Sequence, residues 1–333
     1  MYLFGWPASY GGADTKAAHL LKLLSGHLNF TVIPNDDRSL GDSYWVPLLS
    51  GWGVRCATLE SLPERLHGVG LALANHSFFA GRICSAARHR GLKIVWSSEM
   101  MWHHAEEVDF IKAGEVDRLL YVSDVQKQTL NYESFCDVPT RMTGNYICPD
   151  EFPFAERPQD KGITIGRLSR SDPDKYPEDF PVFYESLELP DCRFRVMAWS
   201  ETLAEKYRWH RFDSRWELLP PLGEPVPAFL QSLDLFVYPL GHTFTESWGR
   251  STVEAMLTGA IPLVPEGHHF ESLIVHGESG FLCGDFLEYQ SRAQELARDP
   301  LLRRQMSIAC RRQGELLNNA ETHRAIWLEA LDV

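Results

Sequence analysis

Two glutamates, Glu246 and Glu254, stand eight positions apart in the stretch Thr245-Glu246-Ser247-Trp248-Gly249-Arg250-Ser251-Thr252-Val253-Glu254-Ala255-Met256-Leu257-Thr258-Gly259. The apolar run Leu235-Phe236-Val237-Tyr238-Pro239 before them reads as a buried strand ending at a proline, and residues 253–257 read as the opening turns of a helix stopped by Gly259. The carboxylates therefore bracket a loop and a helix N-terminus at the carboxyl end of a strand. Open parallel sheets bind ligands there, and the free N–H groups of a helix start favour anions. The same residues also describe a solvated turn with an acid favoured by the helix dipole. A second stretch, Gly166-Arg167-Leu168-Ser169-Arg170-Ser171-Asp172-Pro173-Asp174-Lys175, puts an arginine at a strand end and a lysine eight residues later. A forked guanidinium and a point-charge ammonium are suited to neutralising a departing diphosphate without a metal. Asp172 and Asp174 leave a mixed-charge surface loop as the plainer alternative. A third stretch, Gly11-Gly12-Ala13-Asp14, follows a short apolar strand, and its paired glycines allow close backbone approach or positive φ.

The elements that must position these groups alternate along the chain. Residues 2–5, 30–33, 71–74, 93–96 and 119–122 read as strands, with helices expected over 61–66, 78–90 and 124–135. Between 148 and 161 the periodicity fails and prolines and charges collect, which marks a linker. The alternation then restarts, with strands expected near 163–166, 194–198, 217–219, 235–238, 261–264 and 280–282. Helices are expected over 178–187, 201–207, 226–232, 251–257, 286–297, 301–317 and 321–331. Strands alternating with helices imply parallel βα units, and 333 residues are too many for one ordinary core.

Composition narrows the classes of partner. A formal net charge of −13 argues against a whole-surface affinity for nucleic acid or anionic membranes. Arg82, Arg88, His89, Arg90 and Lys93 form a local basic cluster, read first as cations at a helix C-terminus. The seven cysteines are odd in number, widely spaced and free of any Cys-x-x-Cys pair, which fits a reducing cytosol better than a disulfide framework or a zinc site. No basic-then-apolar leader opens the sequence, and no apolar run approaches the roughly 18 residues needed to span a bilayer. A cytoplasmic protein is expected, with peripheral membrane contact left open. His103-His104 and His268-His269 are adjacent pairs without a suitably spaced acid, so no metal site is expected.

With these stretches in view the chain resembles the family 4 glycosyltransferases of GT-B fold, retaining enzymes that use nucleotide-sugar donors. Four features carry the resemblance in family order. Gly11-Gly12-Ala13-Asp14 resembles a Gly-Gly-Ala-Glu loop, with Asp for Glu. Gly166-Arg167-Leu168 with Lys175 resembles a phosphate-binding pair. Asp234-Leu235-Phe236-Val237-Tyr238-Pro239 resembles an Asp-Leu-Phe-Val-x-Pro strand, and Glu246 to Glu254 matches a Glu-x7-Glu signature followed by Gly259-Ala260-Ile261-Pro262.

The resemblance implies an α/β protein with two Rossmann-like doubly wound domains facing across a cleft. Residues 1–150 would be an acceptor-binding domain, 160–318 a donor-binding domain, and 319–333 a C-terminal helix packing back on the first. It implies transfer from a UDP- or GDP-linked sugar to a hydroxyl acceptor, the leaving diphosphate taking the acceptor's proton, with no cofactor or metal. Arg167 and Lys175 would hold the diphosphate, Glu246 the sugar hydroxyls and Glu254 the ribose. Backbone N–H groups at Trp248, Gly249 and Arg250 would meet sugar and phosphate, and Gly11 and Gly12 would close on the donor phosphates. His76, after Ala74-Asn75, and Glu99, after Val95-Trp96-Ser97-Ser98, end strands of the first domain and would meet the acceptor; His76 joins Glu246, Arg167 and Lys175 as a candidate catalytic residue. The segment Val196-Met197-Ala198-Trp199 lacks the family's Gly-x-Gly, and Pro220-Pro221-Leu222 lies where the base is usually held, so the base stays undetermined. Other GT-B chemistry, an epimerase or an inverting transferase, and a non-catalytic sugar-binding subunit are the alternatives.

Overall fold

Short apolar runs and the turns between them decide the architecture. The structure, a computed structural model, describes residues 1–158 and 162–333. The last residues of the expected linker, Gln159, Asp160 and Lys161, lie outside the described residues. The chain forms two units: Met1–Cys148 with Asn319–Val333, and Pro149–Asn318.

The first unit is built on a seven-stranded parallel sheet. Its strands are β1 (Tyr2–Phe4), β2 (Thr31–Ile33), β3 (Arg55–Cys56), β4 (Val69–Leu73), β5 (Lys93–Ser97), β6 (Arg118–Tyr121) and β7 (Thr140–Met142), in the order β3-β2-β1-β4-β5-β6-β7. Side chains alternate across a strand, and the core divides accordingly. Leu71, Leu73, Val95 and Leu120 face one cluster, which also holds Leu20, Leu24, Trp327 and Leu331. Ala72, Ile94, Trp96, Leu119 and Tyr121 face the other, with Phe78 and Phe79. The first cluster contains helix α1 (Gly12–Leu24) and the terminal helix α13 (Ala320–Ala330), so the end of the chain completes the first unit's core.

Local chemistry explains where helices depart from expectation. No helix forms over 61–66: Thr58 accepts the Ser61 N–H (3.1 Å) and its carbonyl accepts the Ser61 hydroxyl (2.8 Å), a side-chain turn that competes with a helix. Pro63 adds a residue with no N–H. The expected single helix over 78–90 is two, α3 (His76–Ala80) and α4 (Ile83–His89), split where Arg82 adopts φ 54°. Helices α2 (Trp45–Gly51) and α5 (Glu107–Lys112) and the edge strands β3 and β7 come in addition, while α6 (Asp124–Leu130) stops at Asn131, φ 41°.

The second unit carries a six-stranded parallel sheet, β8 (Thr164–Leu168), β9 (Arg193–Met197), β10 (Trp216–Leu219), β11 (Leu235–Val237), β12 (Ile261–Pro265) and β13 (Phe281–Cys283), in the order β10-β9-β8-β11-β12-β13. Its helices are α7 (Phe180–Glu185), α8 (Glu201–Lys206), α9 (Val226–Gln231), α10 (Arg250–Thr258), α11 (Phe286–Arg298) and α12 (Pro300–Leu317). The order reverses between β1 and β4 in the first sheet and between β8 and β11 in the second, the switch points at which doubly wound sheets bind ligands. The described part of the expected linker is not a free strand: Arg157 donates to the carbonyls of Leu233 (2.5 Å), Ala155 (2.8 Å) and Thr258 (3.0 Å). Among the described residues no helix is long and apolar enough to cross a membrane.

Candidate functional site

Strands β8 and β11 end side by side at the second switch point, and the second unit's charged groups gather there. Arg167, the fourth residue of β8, is fully buried. Its guanidinium lies 3.8 Å from the ring centre of Tyr176 and 4.4 Å from that of Tyr238. One terminal nitrogen donates to the Pro239 carbonyl (2.8 Å), the other to the Lys175 carbonyl (3.2 Å) and the Ser169 hydroxyl (3.3 Å). Arg167 thus joins the loop after β8 to the end of β11. The expectation that its fork meets a ligand encounters a guanidinium already spent on main-chain carbonyls and stacked rings.

Lys175 and Glu246 do come together. The ammonium donates to Oε2 of Glu246 at 3.0 Å, and the Tyr238 hydroxyl donates to the same oxygen at 3.0 Å. Burial opposes the charge on each partner, and each partner's field overrides it. The pKa of Lys175 is raised above the usual ammonium value and that of Glu246 is lowered below the usual carboxylate value. The pair is therefore ionised across the neutral range, held in a pocket where its field is weakly screened. Phe244 covers the ammonium from 4.6 Å. His268 Nδ1 accepts the Glu246 N–H at 3.4 Å, and burial lowers the pKa of that histidine.

The loop then turns into α10 through Gly249, whose φ of 93° is the left-handed region. A Cβ there would also sit 2.6 Å from the Phe270 ring, so both backbone and packing require glycine. Trp248 is buried beside the His269 ring, 6.3 Å away. Glu254, one turn into α10, pairs with Arg250 at 3.0 Å. Its pKa is raised because burial outweighs that arginine. The two glutamates therefore have different partners and opposite shifts.

In the first unit the glycine loop follows β1 and caps α1: Gly11 has φ 97°, and the space around Gly12 is open. His76 opens α3 after β4, with a half-exposed imidazole stacked on His104 (5.3 Å, 28°) and 3.7 Å from Oε2 of Glu106. His103 points elsewhere, toward the Leu130 carbonyl (3.0 Å) and Glu107 (3.6 Å), so the adjacent histidines diverge. Glu99, after β5, has φ 59° and is turned inward. Its Oε1 accepts from Lys16 Nζ (2.5 Å) and from the Ser97 hydroxyl (2.5 Å). Its expected role toward a ligand competes with that buried ion pair. Among the described residues no three His, Cys, Asp or Glu side chains are grouped to hold a metal ion.

No protein-family model and no curated protein sequence matches this chain. Solved structures do. HepE from Anabaena, in complex with UDP and glucose, aligns with a TM-score of 0.77 at 13% identity, covering 99% of this chain and 98% of its own. A glycosyltransferase from Rickettsia africae aligns at 0.71 and 12%, covering 99% and 98%. The sucrose-phosphate synthase of Thermosynechococcus elongatus aligns at 0.68 and 14%, covering 98% and 97%. The fold is GT-B.

Within that fold the sequence motifs fall at strand ends around the switch points: Gly11 and His76 in the first sheet, Arg167, Lys175 and Glu246 in the second. Two cations escaped the sequence reading. Lys16 is buried within α1, and the signal for it was its place on the Leu20–Leu24 stripe, where a lysine needs a partner. Arg170 lies between Arg167 and Lys175, exposed, its charge lowering the pKa of both Lys175 and Glu246. Strain marks strand ends in each unit as well: Ala74 and Glu99 in the first and Ala198 in the second, each just past a strand, have φ of 44°, 59° and 72°. Non-glycine residues in that region are costly and collect at functional sites. Ala198 takes up the left-handed conformation without being the expected glycine, and its carbonyl accepts the Ser171 hydroxyl at 2.7 Å.

Proposed function

We propose that this protein is a retaining glycosyltransferase that moves a sugar from a nucleotide-diphosphate sugar, UDP- or GDP-linked, to a hydroxyl acceptor. The observation that carries the proposal is the ionised Lys175–Glu246 pair with Tyr238, placed at a sheet switch point just before the N-terminus of α10. A cation and the N-terminus of a helix suit a phosphate, and a fixed carboxylate suits sugar hydroxyls. HepE, of the same fold, was crystallised with UDP and glucose and with UDP-glucose, which supports a UDP-linked donor here.

In this reading Lys175 neutralises the diphosphate and Glu246 accepts from the sugar's hydroxyls. Glu254 accepts from the ribose hydroxyls, and the backbone N–H groups of Trp248, Gly249 and Arg250 meet the sugar and the adjoining phosphate. His76 meets the acceptor. Glu99, tied to Lys16, serves the acceptor only if that pair opens. As the anomeric C–O bond to the diphosphate breaks, the acceptor oxygen bonds to the same face of the sugar, and its proton passes to the departing phosphate oxygen. The chain's part is electrostatic, and no metal is invoked. Removing one preorganised donor to such developing charge lowers turnover by about 100- to 1,000-fold.

The test is a screen of UDP- and GDP-sugars by thermal shift, followed by mass spectrometry of reactions with candidate hydroxyl acceptors. A donor at 100 times its Kd should add roughly 2.7 kcal/mol of stability. A gain in acceptor mass by one sugar is the expected result. An epimerised donor without transfer would reassign the chemistry, and the absence of any stabilising nucleotide sugar would remove the proposal.

A further inference from the structure

The loop between β5 and α5, residues 98–106, is tied to α6 at two points that respond differently to protons. At the first, the fully buried Gln126 donates from its amide to the Met100 carbonyl (2.8 Å), while its Oε1 accepts the Val122 N–H (2.8 Å). An amide does not titrate, so this tie is indifferent to pH. At the second, His103 Nε2 lies 3.0 Å from the carbonyl of Leu130, the last residue of α6. A carbonyl only accepts, so Nε2 carries a hydrogen. The other ring nitrogen, Nδ1, is buried without a hydrogen-bond partner, and Oε1 of Glu107 stands 3.6 Å from it. In the neutral ring that nitrogen presents a lone pair toward a carboxylate. A second proton turns the same contact into an ion pair.

Glu107 is fully buried, and His103 is the basic side chain at ion-pair distance from it among the described residues. Its Oε1 also accepts from the Tyr132 hydroxyl and its Oε2 from the His104 N–H (2.9 Å). A buried carboxylate that loses its one cation is costly. Around the His103 ring stand Tyr132 (5.1 Å) and Phe135 (5.5 Å), with Lys112 over the Phe135 ring at 5.5 Å. The neighbouring His104 is held toward its neutral form by burial. Glu107 raises the pKa of His103 against the opposing effect of burial. Burial opposes the charge of Glu107 in turn, and is outweighed by His103, Tyr132 and the His104 N–H, so that carboxyl lies below its usual range.

We infer that His103 is a proton-operated latch. With both ring nitrogens protonated it bridges Glu107 and the Leu130 carbonyl and holds residues 98–106 closed on the end of α6; loss of one proton lets that loop open. The loop carries His104, on whose ring His76 stacks at 5.3 Å, so its closure fixes the surface that His76 rests on. The inference concerns the order of the loop and stands whether or not the chain transfers a sugar. The closed loop binds the His103 proton more tightly than the open one. The latch is therefore fully present below the pKa of a free histidine, about 6.5, and is lost as pH rises through the raised value of the closed state. Its lower limit is set by Glu107, whose share is lost as pH falls through that carboxyl's lowered value.

The experiment is NMR of the full chain between pH 5 and pH 9. The His103 ring signal gives its titration midpoint. Hydrogen exchange of the His104 amide, which donates to Glu107, gives the loop's opening constant once corrected for the intrinsic pH dependence of exchange. The midpoint should lie above that of a free histidine. The opening constant should rise as pH passes through it, about ten-fold for each unit by which the two midpoints differ. His103→Gln should leave the loop open at pH 6 and flatten this dependence. Gln126→Leu, which cuts the other tie, should raise the opening constant at every pH and keep the dependence. Glu107→Gln should lower the His103 midpoint; if that variant does not fold, the contrast between His103→Gln and Gln126→Leu carries the test. A wild-type midpoint at or below that of a free histidine would overturn the inference. So would His104 exchange that ignores the midpoint, or a His103→Gln chain that keeps the wild-type dependence.

Discussion

Replacing Lys175 by methionine removes one half of a buried ion pair and leaves the other half in place. The Lys175 and Glu246 side chains keep only 9% and 11% of their surface exposed, so the remaining carboxylate would be largely desolvated. Breaking such a pair from one side costs about 3–5 kcal/mol. Tyr238 still donates to Glu246 at 3.0 Å, which places the expected loss near the lower end, about 3 kcal/mol. The sign of the pH dependence follows from the shifts. In the wild type the lowered Glu246 pKa contributes stability that is present above the unfolded carboxylate value and is lost as pH falls through the folded one. The raised Lys175 pKa contributes stability that is present below the unfolded ammonium value and is lost as pH rises through the folded one. In the methionine variant burial acts on Glu246 against only the Tyr238 hydrogen bond and the field of Arg170, so its pKa rises from the wild-type value and protonation relieves part of the penalty. Urea unfolding followed by tryptophan fluorescence at pH 5 and pH 8 would show a deficit that shrinks at the lower pH. A pH-independent loss under about 1 kcal/mol, the worth of an exposed pair, would refute the reasoning.

Two further expectations concern the strained strand ends. Ala198→Gly should raise stability by roughly 0.5 kcal/mol, because relief of the left-handed backbone exceeds the entropy that glycine adds to the unfolded chain; a lower melting temperature would count against strain at φ 72°. Glu99→Ala should destabilise the first unit by about 3 kcal/mol, because Lys16, only 1% exposed, loses its 2.5 Å partner. Hydrogen exchange in α1 should accelerate, and unchanged protection there would show that the pair contributes nothing.

The sheets were legible because a strand covered on both faces is a continuous apolar run; residues 71–74, 93–96, 235–238 and 261–264 each coincide with a strand to within two residues. Strands Arg55–Cys56 and Thr140–Met142 were not, since two or three partly polar residues at a sheet edge carry no periodicity. The candidate site's residue types and their places at strand ends were legible, but side-chain direction was not. Nothing local to Arg167 says that it is buried, since the rings enclosing it come from Tyr176 and from the distant Tyr238. For the same reason Arg170 reads from sequence as one charge in a mixed loop. Glu99 was placed correctly at a strand end, yet its inward turn depends on Lys16 and Ser97, which only the fold assembles.

The central claim is that the Lys175–Glu246 pair serves transfer from a nucleotide-diphosphate sugar with retention. Proton NMR of the anomeric signal, recorded on the first product formed from an α-configured UDP-sugar by wild type and by Lys175→Ala, tests it most directly. The expected result is an α-configured product from wild type and at least a 100-fold slower appearance from the variant. A β-configured product, or a folded Lys175→Ala protein with wild-type turnover, would contradict it.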